Sequence, residues 1–463
     1  MRDTPDRIWI AALGAFALCA LAFLALDPNP NLLLAASAGI NAGILVWSGH
    51  RCYRLRILLS PVGQILIGPG LILYYSIGNL GARIAGDFRF AANPGSLDYY
   101  PAASALSTLG ILIFCLVAFL ALPRLLEAPR LAYEQLEWTW PQGAAAALLA
   151  TGVLVYLSNS HNFVNGYFRG ADSQIDIWLS ASIYYFSLLA VIVNTSVFAK
   201  SAAPLLRFTA GACVCLMIGQ SVLLRSRTFM AVIILTSLFA YLTIHPRKIG
   251  AGSAFALCAL AVVFTLGTAV KSSGGAGTSI LDNAAALRNA DPSVAAALSV
   301  DRQYRLAGLE LPAALLACFD HGAEPMRGEA MRQGLLQGLP NFLRPAGDYS
   351  ERIAITGHFS SAGLLYGDSI GVPLSSGLAD WGPAGVLIYA FMAFYAVAVW
   401  RLCQRSPRLL TALLMTGNGM YFFDLFWENN AVFALRTTGF CWLVLLLLGP
   451  LLTPRIAAPP EAR

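Results

Sequence analysis

SALSTLGILIFCLVAFLALP, residues 104–123, contains no charged side chain. At about 1.5 Å of rise per residue, such a run as a helix covers roughly the 30 Å hydrocarbon core of a bilayer. Runs of this kind recur along the chain at 8–26, 31–49, 61–80, 142–158, 176–198, 205–224, 228–244, 251–270, 381–400, 408–426 and 434–452. Only 12% of residues are charged and 57% are apolar, whereas a soluble domain carries about 25% charged residues. Lipid is therefore the expected solvent, and the fold class expected is an all-α polytopic membrane protein of about twelve helices. The first run follows a short basic segment like a signal peptide. Leu26-Asp27-Pro28 is a poor cleavage site, so an uncleaved first helix is expected.

Short basic connections set the orientation. Arg51, Arg54 and Arg56 share one; Arg124 and Arg130 fall in the next on that side. Lys200 with Arg207, Arg247 with Lys248, and Arg401 with Arg405 and Arg408 continue the series. These connections read as cytoplasmic. An even helix count returns the tail with Arg455 and Arg463 to the same side. Of the nine cysteines, this topology leaves only Cys318 outside, so no external intramolecular disulfide is available.

The pattern divides the chain into residues 1–270 with nine helices, a large external connection at 271–378, and 379–463 with three helices and a tail. The connection opens on flexible Ser272-Ser273-Gly274-Gly275, then shows helical spacing at about 302–318 and 327–343. It is expected to be partly folded and to cover one end of the bundle. Smaller external loops at 81–103 and 159–175 carry Arg83, Arg89, Tyr99 and Tyr100, and His161, Tyr167 and Arg169.

Two cations stand apart. Arg225 and Arg227 are pinched between apolar runs at the external end of a helix, with no acidic residue nearby in sequence. Charges this close to hydrocarbon usually face a polar cavity and carry function. Outside, this topology places them with Arg83, Arg89, Arg169, Arg288, Arg302, Arg305, Arg327, Arg332, Arg344, Arg352 and Arg436, against a lone lysine, Lys271. Arginine excess suits multidentate capture of phosphate or carboxylate. The alternative is ion pairing with loop acids such as Asp301, Glu310, Glu324, Glu329 and Glu351. His358, in Thr356-Gly357-His358-Phe359-Ser360, is the first candidate general base, in a small-residue segment expected to re-enter the membrane face. His161 follows it. Asp368 is a possible base or acceptor-orienting group, whereas Asp380, before Trp381-Gly382-Pro383, is expected to cap the tenth helix. No metal motif and no phosphate-cradling GxxxxGK[ST] is present. No cofactor is expected.

Three passages give the chain a family resemblance. They are Ser226-Arg227-Thr228-Phe229 opening an apolar helix, Gly338-Leu339-Pro340-Asn341-Phe342-Leu343-Arg344-Pro345 late in the large connection, and Ser376-Gly377-Leu378-Ala379-Asp380-Trp381-Gly382-Pro383-Ala384-Gly385-Val386. With the helix layout, they resemble the bacterial O-antigen and exopolysaccharide polymerases of the Wzy type, similar in architecture to O-antigen ligases and lipid-linked GT-C glycosyltransferases. Asn341 stands where that family often has a basic residue, leaving Arg344 as the nearby cation. The resemblance implies transfer of a glycan from undecaprenyl diphosphate to a sugar hydroxyl of a second lipid-linked unit, at the periplasmic face of the inner membrane. It implies lipid-linked glycans and the bilayer as partners, with a chain-length regulator and a flippase as further ones, and no nucleic acid. Arg225, Arg227, Arg344, Arg352, Arg169 and His161 would bind diphosphate and glycan, and His358 or Asp368 would act in catalysis. Arginines can replace a metal in neutralising the leaving group. A ligase-type transfer to another acceptor shares this donor. A lipid or solute transporter would instead place charges at mid-membrane and show symmetric halves.

Overall fold

The computed structural model describes residues 14–15, 29–55, 61–67, 98–126, 136–159, 163–164, 167–168, 174–223, parts of 233–245, 309–338, 345, 351–364, 373–405 and parts of 447–456. Helices dominate throughout. Extended structure among these residues is limited to two antiparallel pairs of two-residue strands, β1 Leu136–Glu137 with β4 Arg455–Ile456, and β2 Phe163–Val164 with β3 Tyr167–Phe168. The sequence between β2 and β3 is Asn165-Gly166, the dipeptide that favours a tight hairpin turn.

Helix α1 (Pro30–Arg54) has a complete set of end signals. The Asn29 side chain accepts from the Asn31 N–H at 2.9 Å, Pro30 opens the helix, and Arg51 and Arg54 occupy its last turn. Helix α2 is Pro61–Ile67, and α3 (Tyr100–Leu126) contains the uncharged run quoted above. Helix α4 (Trp140–Asn159) starts with Gln142 reaching back to the Thr139 N–H at 3.0 Å, a capping-box contact. Helices α5 (Gln174–Lys200) and α6 (Pro204–Leu223) follow.

Four helical stretches among the described residues are long and apolar enough to cross a membrane: Pro30–Arg54, Tyr100–Ala121, Trp140–Ser158 and Pro373–Ala398. They coincide with the expected spans 31–49, 104–123, 142–158 and 381–400. Helices α5 and α6 cover 176–198 and 205–224. Only Pro61–Ile67 of the span 61–80 and parts of 228–244 are described, and apart from isolated positions 8–26, 251–270, 408–426 and 434–452 lie outside the described residues. Large apolar side chains such as Val46, Leu148, Phe208 and Phe394 point outward, a surface that lipid can cover.

Two cores form. In one, α1, α3 and α11 (Ile388–Arg405) pack together. Asn41, fully buried, donates to Thr108 Oγ1 at 3.1 Å between α1 and α3, and Trp47 meets Phe119. The Tyr389 ring of α11 lies against Gly110 of α3, where a Cβ would overlap it. In the other, α4, α5 and α6 are joined by polar side chains inside apolar surroundings, as membrane bundles often are. Asn194 donates to the Ala146 carbonyl at 2.8 Å, and Gln220 to the Leu154 carbonyl at 2.8 Å.

Several segments gather at one end of the second bundle. Trp138 donates to Ser196 Oγ at 3.0 Å, His245 Nε2 to the Ala199 carbonyl at 3.3 Å, and β1 pairs with β4. Segments 136–139, 196–201, 245 and 452–456 thus meet at one end, and all adjoin connections or a tail given the same side of the membrane by their basic residues.

Helices α7 (Glu310–Asp320) and α8 (Glu329–Gly338) overlap the two stretches of helical spacing in the long connection. Helix α9 (Glu351–Phe359) contains most of the segment 356–360 that the sequence suggests re-enters the membrane face. The expected tenth helix, 381–400, corresponds to α11 and the short stretch leading into it, and a separate helix that was not expected precedes it. Helix α10 (Pro373–Trp381) ends at Gly382, whose φ is 58° and which precedes Pro383; a 3-10 stretch, Gly382–Leu387, then leads into α11. The fold-back brings the backbones of Gly377 and Gly385 into contact, so that a Cβ at either would overlap the other's backbone. Gly385→Ala is expected to destabilise the protein by about 3 kcal/mol through overpacking. Thermal unfolding in detergent checks it against Gly152→Ala, where a Cβ would meet open space.

Candidate functional site

The long connection meets the bundle where α10 begins to turn into α11, and one carboxylate organises the junction. Asp380 is fully buried. Its Oδ1 accepts the Ala330 N–H and its Oδ2 the Met331 N–H, both at 2.8 Å. Helix α8 leaves its first N–H groups without intrahelical partners, and a carboxylate there satisfies both the hydrogen bonds and the helix dipole. The preceding turn is stitched to the same segment: Met326 N–H donates to the Ala379 carbonyl at 2.8 Å and Arg327 N–H to the Asp380 carbonyl at 2.9 Å. Arg327 adopts φ 55° and Gly328 φ 95° to make this turn, a left-handed conformation that favours glycine at the second position. Asp380 therefore caps a helix, but not the tenth helix that its own sequence context suggests.

Around this junction lie further polar groups. The Tyr99 hydroxyl donates to Asp320 Oδ2, tying the residue before α3 to the end of α7; this bond and the neighbouring acid push the tyrosine pKa up. Glu310, buried at the start of α7, acts on Tyr100. His321 Nδ1 donates to the Ala317 carbonyl at 2.6 Å. Arg327 pairs with Glu324 at 3.1 Å, and Arg332 with Glu329 at 2.7 Å, all exposed. For these two arginines the ion-pair alternative is the one observed. The Arg332 and Gln333 hydrogen bonds hold the Glu329 carboxyl down to about 2.

His358 occupies the last turn of α9 and is exposed. Its Nε2 lies 2.8 Å from the Glu324 carbonyl. A carbonyl only accepts, so Nε2 carries the proton and the neutral ring presents its lone pair at Nδ1. Arg352 is the second residue of α9. Arg225, Arg227, Arg169, His161, Arg344 and Asp368 lie outside the described residues.

Sequence reasoning named Glu351 only in passing, as an ion-pair partner for loop arginines and as one of several carboxylates near the external face, and did not make it a site candidate. It opens α9 at 4% exposure, and neither of its oxygens completes a hydrogen bond, although Ser376 is near enough to favour its ionised form. Burial first, and then the Asp380 charge, push its carboxyl up to about 7. Buried carboxyls without partners are rare in native proteins and mark strain or function. Nothing in the sequence signals the burial, because Glu351 reads as an ordinary first-turn acid.

Among the described residues no group of three or more His, Cys, Asp or Glu side chains is arranged to hold a metal ion. No protein-family model, curated protein or solved structure matches the chain.

Proposed function

We propose that the protein is a lipid-linked oligosaccharide polymerase of the bacterial inner membrane, with about twelve spans and its long connection at the periplasmic face. In this reading the donor is a glycan on undecaprenyl diphosphate and the acceptor a sugar hydroxyl on a second lipid-linked unit. The bond from the anomeric carbon to the phosphate oxygen breaks, and the diphosphate leaves with the electron pair. A new bond forms from that carbon to the acceptor oxygen, whose proton passes to a base.

The observation that carries the reading is the docking of α7 and α8 of the long connection onto one end of the helical bundle, beside residues 98–100 and Asp380, with α9 packed against α8. An enzyme acting on a substrate half in lipid and half in water needs a folded polar face at that depth. Arg225 and Arg227, at the edge of an apolar run, supply charge where a lipid diphosphate must lie. Two cations there can neutralise the leaving group without a metal. Nδ1 of His358 is a proton acceptor on the docked connection, and Asp368 is the second candidate.

The test is a glycan ladder from cells with and without the gene. Loss of the ladder with single repeat units retained is the expected result, and an unchanged ladder overturns the reading. Long chains that still form on the lipid carrier but fail to reach their final acceptor would favour a ligase-type transfer.

A further inference from the structure

Helix α9 is held by two unlike kinds of contact. At its C-terminal end Phe359, fully buried, meets the Phe319 ring edge-on with centroids 5.5 Å apart; Ile355 is buried beside it. At its N-terminal end Glu351 is sealed from solvent with both oxygens unpartnered. The groups facing it from α10 are Ser376 and Asp380. Asp380 commits its oxygens to Ala330 and Met331, so it offers Glu351 only a second negative charge. From α8 the charged groups are Glu329 and Arg332, which are exposed and bonded to each other at 2.7 Å.

We propose that α9 is docked on the bundle by a protonated Glu351 and released by its ionisation. An ionised carboxylate at this position would be desolvated and opposed by a neighbouring carboxylate, two penalties that together outweigh the nearby Ser376 hydroxyl. Undocking α9 gives the charge back to water. The usual carboxyl value near 4.5 rises to about 7 in the docked state. Docking is therefore fully stabilised below the usual value and weakened as the pH rises through the docked value. His358 does not set this dependence: its Nε2 carries a proton in both the neutral and the cationic ring, so its bond to the Glu324 carbonyl survives either way. The device does not depend on the glycan reading, and its test reads docking and not polymer.

The experiment uses the full chain in lipid nanodiscs, with cysteine introduced singly by Ile355→Cys, on the buried face of α9, or Ile353→Cys, on its exposed face. Labelling by a water-soluble thiol reagent is read by peptide mass spectrometry. The ratio of the two rates cancels the pH dependence of the thiol itself. Between about pH 5.5 and about pH 8.5 the ratio of buried to exposed labelling is expected to rise roughly thirtyfold, from the two carboxyl values above. With Glu351→Gln added, the ratio should stay flat and low. A flat ratio with Glu351 in place overturns the proposal whether or not the glutamine variant folds. An equal rise in both backgrounds overturns it as well.

Discussion

Replacing Arg227 by alanine is expected to abolish polymer formation while leaving protein level and membrane insertion intact. The change removes one of two cations pinched between apolar runs, which the proposed topology sets at the external end of a helix. Charge on the departing diphosphate develops in a partly desolvated site, where loss of one stabilising donor costs about a hundredfold to a thousandfold in rate. A chain that grows by repeated transfers loses its long products first. The ladder should collapse to single units, with Arg227→Lys restoring a partial ladder because a point charge replaces the planar fork. The measurement pairs a glycan ladder with an immunoblot of the membrane fraction. Wild-type chain lengths from Arg227→Ala would remove the diphosphate role and, with it, the strongest electrostatic support for the polymerase reading.

Asp380→Ala is expected to act on folding and not directly on chemistry. It deletes two hydrogen bonds from N–H groups to a buried carboxylate and leaves the first turn of α8 without a cap. Hydrogen bonds to charged groups contribute about 1.5–3 kcal/mol each, so a loss of roughly 3 kcal/mol or more is expected. Asp380→Asn keeps the shape and one acceptor oxygen and should lose less. Unfolding in detergent, together with protease sensitivity of residues 310–364, checks the prediction. Cleavage confined to the connection would place the damage at this junction. An unchanged protease pattern in Asp380→Ala would mean that other contacts seat α8.

What the sequence made legible follows from which signals are local. The apolar runs at 31–49, 104–123, 142–158, 176–198 and 205–224 correspond to helices because length and hydrophobicity are carried by the run itself. The break near 381 was also local, in Gly382-Pro383, and marked the expected start of the tenth span, whereas the short helix before it, Pro373–Trp381, is too brief to read as a span. Asp380 announced a cap. Its partner, α8, lies some fifty residues earlier in the chain, and no local pattern reaches that far. Gly377 and Gly385 drew attention as part of a motif, while their physical role, backbone against backbone, depends on the fold-back of α10 onto the 3-10 stretch. Asn165-Gly166 carried a hairpin signal that was passed over in favour of the polar residues around it. Glu351 was legible only as an acid, because burial is a property of what packs over a residue. Of the eight candidate site residues, the structure gives side-chain geometry for His358 alone and helix position for Arg352.

The cap made by Asp380 also imposes an order of events during synthesis. The N–H groups of Ala330 and Met331 leave the ribosome with no partner, and the carboxylate that will satisfy them is still 50 and 49 residues away. At about 5–20 residues per second, that wait lasts some seconds. Helix α8 can reach its final seat only after the chain through α10 has emerged, whereas α7 can already tie to the earlier Tyr99. A ribosome stalled before position 380 would hold helix α8 unseated, however complete its own sequence.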